Sequence, residues 1–229
     1  MRAIVFDSGP IITLTTNGLL GLLVELKSRY QGTFYIPEGV KNELVTHPLQ
    51  TKKFKFEALQ ILRLLESGHL KMYDAPGLRK KTIHLLDIAN RILFARNHPL
   101  RVIQFAEMNA LAAAIEMKAE ALVVDERTTR MLIESPEELA RRMRKKLHTK
   151  VTIDKKALNE FQKLVEGIKV LRSTELVMVA YEKGLLDKFK LKIDKPRETL
   201  LSALLWALKL QGAAISDQEI NEVIRIETK

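Results

Sequence analysis

Apolar positions along the chain follow two periods. Short runs at residues 3–6, 33–36, 122–124 and 168–171 are partly β-branched or aromatic and predict buried strands. Between them the spacing lengthens to about 3.6 residues. Leu19, Leu22, Leu23 and Leu26 form one helical face, and Leu59, Leu62 and Leu65 another that Gly68 stops. The same spacing predicts helices over 37–44, 81–94, 102–117, 128–133, 137–147, 156–165, 175–183, 198–210 and 217–225. Ser135 followed by Pro136 and Glu138, and Ser216 followed by Glu219, mark two helix starts by the reciprocal capping pattern. Strands separated by helices call for right-handed crossovers, so the expected class is α/β: a central parallel sheet flanked by helices on both faces, with added helices. Charged joints at 150–154 and 190–197 suggest a domain over residues 1–185, containing a basic helical insertion at about 135–166, and a helical C-terminal extension over 186–229.

In such a sheet, ligands bind beyond the carboxyl ends of the strands. The segment "AIVFDSGPII" ends an apolar strand on Asp7, and "ALVVDERTTR" ends another on Asp125 and Glu126. One acid in that position could simply cap a helix. Two strand ends delivering acids suggest convergence. Two more acids, Glu43 in "IPEGVKNELV" and Glu107 in "IQFAEMNALAAAIE", lie on helices with otherwise apolar faces. There Asn109 precedes an Ala-rich stretch able to approach the sheet closely. A lone glutamate is usually a surface residue. Several carboxylates in one cleft repel one another and resist desolvation, so a cation is expected among them. Oxygen-only ligands in a chain without cysteine point to Mg²⁺ or Mn²⁺ rather than structural zinc. Water activated by such an ion can attack a phosphodiester.

Charge strengthens that reading. With 38 Lys and Arg against 28 Asp and Glu, the net charge is +10, which favours a polyanionic partner and nucleic acid above others. Arg141, Arg142, Arg144, Lys145 and Lys146 concentrate five cations in six positions, a candidate clamp for RNA phosphates beside the ordinary alternative of a solvated helix face. The absence of cysteine removes disulfides and thiolate chemistry and fits a cytoplasmic protein. Neither a signal peptide nor a membrane span is expected. The five histidines show no metal-ligand spacing, no glycine-rich phosphate loop occurs, and Trp206 within "SALLWALKL" is expected in a core or dimer contact.

The segments "VFDSGPII", "YIPEGVKNELV", "AEMNALAAAIEMKAEALVVDERTTR" and "VLRSTELVMVAYEKGLL", in that order, resemble the signature segments of the PIN-domain family. The resemblance implies a fold related to 5′ nuclease cores and Mg²⁺- or Mn²⁺-dependent cleavage of single-stranded or looped RNA. It implies Asp7 as the first acid with Ser8 its hydroxyl neighbour, Glu43 as the second, and Asp125 with Glu126 as the last pair. Many members carry an acid where this chain has Asn109. Glu107 can stand in for it only at a helix N-terminus, because residues two apart on a helix do not share a face. Ser173 and Thr174 match a hydroxyl position near the family's site. A homodimer, and an antitoxin or ribonucleoprotein partner, are further expectations from the resemblance. The competing reading is an RNA-binding module on a PIN scaffold with little or no catalysis. A small-molecule enzyme on a Rossmann-like sheet is disfavoured by the missing phosphate loop.

Overall fold

The computed structural model describes residues 2–228. Strand β1 (Ala3–Phe6) leads through Asp7 into α1 (Ser8–Thr16) and α2 (Gly21–Arg29), and β2 (Thr33–Pro37) leads into α3 (Glu38–Lys41). A π-helical turn (Asn42–Thr46) carries α3 into the single turn α4 (His47–Leu49). Then come α5 (Lys55–Glu66), β3 (Lys71–Tyr73), α6 (Leu78–Ala89), β4 (Leu93–Ala95), β5 (His98–Pro99), α7 (Phe105–Met117) and β6 (Ala121–Val123). The remainder comprises α8 (Arg127–Glu134), α9 (Pro136–Leu147), β7 (Val151–Ile153), α10 (Lys155–Val165), β8 (Val170–Leu171), α11 (Ser173–Glu182), a 3₁₀ turn (Asp187–Phe189), α12 (Pro196–Leu210) and α13 (Asp217–Glu227).

Among the described residues, five parallel strands in the order β3-β2-β1-β6-β8 form the central sheet, as the strand and helix alternation anticipates. The chain steps outward from β1 through β2 to β3, then returns to the other side of β1 with β6 and β8. The strand order therefore reverses between β1 and β6, and the crevice beyond their carboxyl ends is where a parallel sheet leaves room for a ligand. Register there is fixed by Phe6 opposite Val123 and by the Asp7 amide donating to the Val123 carbonyl at 2.9 Å. Val5, Phe6, Ile36, Val123 and Val124 have no exposed surface, as expected of strands covered on both faces. Helix α7 buries Ala110, Leu111, Ala112, Ala113 and Ala114; side chains this small let its axis come close to the sheet.

Several boundaries depart from expectation. The helix expected over 81–94 ends at Ala89, and Leu93–Ala95 becomes a strand. Asn90 closes the helix and exchanges two hydrogen bonds with the backbone of Ile103. A short apolar run suits either state, and distant antiparallel partners decided it: β4 pairs with β5 and β7 in a second sheet ordered β5-β4-β7. Arg96 and Asn97, both at positive φ, make the two-residue hairpin turn between β4 and β5. The 135–166 segment is accordingly not helical throughout, since β7 lies within it. Strand β3 is too weakly apolar to stand out in the sequence, the helix expected from 102 starts at Phe105, and the one expected over 37–44 is bent by the π turn.

At the C-terminal end, Leu201, Leu205 and Leu208 of α12 belong to the same buried cluster as Val177 of α11. Trp206 is half-buried, with the Lys209 ammonium 4.9 Å from its ring centroid. Among the described residues no single helix is long and apolar enough to cross a membrane; the apolar pair α1 and α2 is bent by 119°, and Ile11, Leu14, Leu22 and Leu23 of that pair are buried in the core.

Candidate active site

Asp7 and Asp125 follow neighbouring strands, Asp125 one residue further beyond the sheet than Asp7 because Phe6 pairs with Val123, and each is almost wholly buried, 4% and 3% exposed. Gly9, in the first turn of α1, lies between them. A methyl group at Gly9 would stand 3.5 Å from the Asp125 Cβ and 3.7 Å from Asp7 Oδ2. Gly9 therefore has both acids as close neighbours at the strand-order reversal. Asp7 occupies the N-cap position of α1 without making a side-chain capping bond, and its Oδ1 is buried with no hydrogen-bond partner. Asp125 accepts from the Ser173 amide at 2.7 Å through Oδ1, while its Oδ2 is buried and unpartnered. That amide opens α11, so the positive end of a helix faces Asp125. The hydroxyls of Ser173 and Thr174 are likewise buried without partners.

Glu43 reaches the site from the π turn and accepts a 2.7 Å hydrogen bond from the Ser8 hydroxyl. Glu107 is the third residue of α7. Its Oε2 accepts from the Thr129 hydroxyl and from the Gln104 amide at the helix start. The condition set by helix geometry is met: Glu107 lies in the first turn and turns toward the acids. Asn109, two residues on, faces elsewhere. Its Oδ1 accepts from the Gly39 amide at 2.8 Å and its Nδ2 donates to Thr82 Oγ1 at 2.9 Å, so it ties α7 to α3 and α6. Glu126, expected beside Asp125 as an acid of the site, is also the N-cap of α8, accepting from the Thr129 amide at 2.9 Å and the Thr128 hydroxyl at 3.0 Å.

The electrostatics follow from burial among like charges. Asp7 is pushed up to about 7, first by desolvation and then by Glu107 and Glu43, with the Ser8 and Gly9 amides offsetting part of the rise. Desolvation also raises Glu107, against the Thr129 hydrogen bond, with Glu126 and Glu43 adding to the rise. Asp125 is raised by burial and partly restored by the Ser173 amide and the Thr13 hydroxyl. Thr129 and Thr13 were not anticipated. The only signal for Thr129 was its place in the turn after the 121–124 run, and for Thr13 its spacing from Asp7 on the buried face of α1.

Among the described residues no three acidic or histidine side chains are drawn together into a metal-binding group. Glu43 and Glu107 instead rest on neighbouring hydroxyls. Asp7 and Asp125 still offer two buried oxygens without donors, an arrangement that suits a hard cation.

The five cations on α9 take different directions. Arg141, Arg142 and Lys145 line a surface cleft that α8 also walls. Arg144 is drawn back to the Val151 carbonyl of β7 at 3.1 Å, and Lys146 is exposed outside the cleft.

Residues 3–136 match the family model DUF3368, described as a PIN domain. No curated protein matches the chain. One solved structure similar to it is VapBC2 from Rickettsia felis bound to a DNA fragment from their promoter. The two share 11% identity and a TM-score of 0.43, over 75% of this chain and 98% of that one.

Proposed function

The chain belongs to the PIN-domain family, and on that premise we propose that it is a Mg²⁺- or Mn²⁺-dependent ribonuclease acting on single-stranded or looped RNA. The observation that carries the reading is the pair of buried, donorless oxygens on Asp7 and Asp125, delivered by adjacent parallel strands. Two carboxylates desolvated near one another are costly, and a divalent cation held there would offset the cost. Asp7 and Asp125 would hold that ion, with Glu43 and Glu107, held on neighbouring hydroxyls, near enough for their charges to act on Asp7. When bound, the ion supplies Lewis acidity at the phosphodiester and lowers the pKa of water. Ser8 fixes the direction of Glu43, Thr129 that of Glu107, and the start of α11 that of Asp125. Arg141, Arg142 and Lys145 supply positive charge to attract the RNA backbone.

One observation favours a second reading, an RNA-binding module with little catalysis. The amide of Asn109 is committed to Gly39 and Thr82 and brings no charge, so the position where many PIN domains carry an acid contributes none here. Calorimetric titration with Mn²⁺, alongside cleavage of structured and single-stranded RNA by wild type and Asp7→Asn, separates the two. The nuclease reading expects Mn²⁺ binding and cleavage in wild type, both lost in Asp7→Asn. Cleavage that is equal in the two proteins, or salt-sensitive RNA binding without Mn²⁺ binding, would sink it. A partner antitoxin and a homodimer belong to this proposal as the assembly such a nuclease would enter.

A further inference from the structure

The cleft walled by α8 and α9 has a volume of about 350 Å³ and gathers Arg127 and Arg130 from α8 with Arg141, Arg142 and Lys145 from α9. Ser216 and Glu219 at the start of α13 close its third side. Its acids are already engaged. Glu138 pairs with Arg141. Glu219 accepts from Arg172 at 2.9 Å and from the Ser216 amide at 2.8 Å. Among the described residues Arg127, Arg142 and Lys145 have no carboxylate at ion-pairing distance, and Arg130 has only Glu134, at 4.0 Å. The Arg130 Nε is buried without a hydrogen-bond partner. Burial and the neighbouring Arg172 act against the Arg130 charge and outweigh the support of Glu134, Glu175 and Glu219, and an anion in the cleft would add to that support.

Position relates the cleft to the acids. Asp125 lies two residues beyond β6, Glu126 caps α8, Arg127 is the first residue of that helix and Arg130 follows within one turn, a rise of about 4.5 Å. A strand whose scissile phosphate lies at Asp7 and Asp125 would therefore bring a neighbouring phosphate toward Arg127 and Arg130. Guanidinium groups suit this because their planar donors match phosphate oxygens two at a time.

We propose that the cleft between α8, α9 and the start of α13 is a phosphate subsite, with Arg127 and Arg130 binding a backbone phosphate of the RNA strand adjacent to the one at the acid cluster. The assignment rests on the ribonuclease reading for its ligand, and its test is separable from that reading. Binding of a labelled single-stranded RNA oligonucleotide is measured by anisotropy in EDTA over a range of salt. The proteins are wild type, Arg127→Gln/Arg130→Gln, Arg127→Gln/Arg142→Gln, and a control, Lys155→Gln/Lys163→Gln, which removes the same charge from exposed positions outside the cleft. Cleavage kinetics with Mn²⁺ run in parallel, and thermal unfolding checks folding. Should Arg130→Gln unfold the protein, the Arg127→Gln/Arg142→Gln pair carries the test, because Arg142 is exposed.

The expected result is a roughly tenfold weaker affinity in the cleft variants. The magnitude of their log-affinity against log-salt slope falls by about 0.7, the value for one lost phosphate contact on a single strand. KM rises with kcat nearly unchanged, and the control moves little. Unchanged slope and KM in the folded cleft variants, or an equal effect in the control, would overturn the subsite while leaving the nuclease reading intact. If wild type binds no Mn²⁺ and cleaves nothing, yet the cleft variants still lose salt-dependent binding, the nuclease reading fails and the subsite stands. Binding of an acidic peptide but not of RNA to the cleft would also overturn it.

Discussion

Replacing Asp7 by asparagine should stabilise the metal-free protein while abolishing its response to metal. The carboxyl is ordinary in the unfolded chain, at 3.8, and is raised to about 7 in the folded protein. The folded state thus holds a proton that the unfolded state releases, and stability falls as pH rises from about 4 to about 7. Above 7 the full penalty is present, about 4 kcal/mol at 1.36 kcal/mol per pH unit. Between pH 5 and pH 8 it grows by about 2–3 kcal/mol. The substituted carboxamide carries no such charge, leaves an oxygen near the Ser8 and Gly9 amides, and fills nearly the same volume. Urea unfolding in EDTA at pH 5 and pH 8 measures the difference directly. Wild type should lose about 2–3 kcal/mol more than Asp7→Asn over that interval, and saturating Mn²⁺ should restore wild type alone, through its preference for the folded state. Parallel pH profiles for the two proteins, or equal stabilisation of both by Mn²⁺, would refute the picture of a desolvated carboxylate awaiting a cation.

Other consequences concern the supports of the site. Asn109→Asp would not enlarge the acid set: Thr82 already donates its hydroxyl to the Leu78 carbonyl, so a carboxylate would face an acceptor, and thermal unfolding should reveal a loss of about 1–3 kcal/mol with no gain in Mn²⁺ affinity. Gly39→Ala places a Cβ 2.9 Å from Asn109 Oδ1, separating α3 from α7; a comparable destabilisation is expected and should be much smaller in an Asn109→Ala background, which a double-mutant cycle tests. Glu219 is held down at about 2, against the opposing effect of burial, by the Ser216 hydrogen bonds and Arg172. Its stabilising contribution is present above the ordinary carboxylate value and is lost as pH falls through 2. Because the side chain is 46% exposed, Glu219→Gln should cost under about 1 kcal/mol at pH 7 and nothing near pH 2, read from unfolding at the two pH values.

What could be read from the chain alone was what is local. A β-branched run buried on both faces, followed by a carboxylate and a helix start, is encoded within ten residues, so Asp7 and Asp125 were legible as strand-end acids and the α/β class followed from alternation. The reciprocal cap of Ser216 and Glu219 was legible for the same reason, its partners being three residues apart, whereas Ser135 begins α9 without a side-chain capping bond because Glu138 turns to Arg141. Tertiary structure decided what depends on distant partners. The Ser8–Glu43 bond spans 35 positions and the Gly39–Asn109 bond 70; no local pattern separates an amide that ligates from one that latches two helices. The strand at Leu93–Ala95 exists because β7, far along the chain, pairs with it. The run of five cations splits because only folding sets which face of α9 meets α8 and which side chain finds the Val151 carbonyl. Hydrophobic period and capping are properties of neighbouring residues, whereas a site's charges and hydrogen bonds are settled only when elements from different parts of the chain pack together.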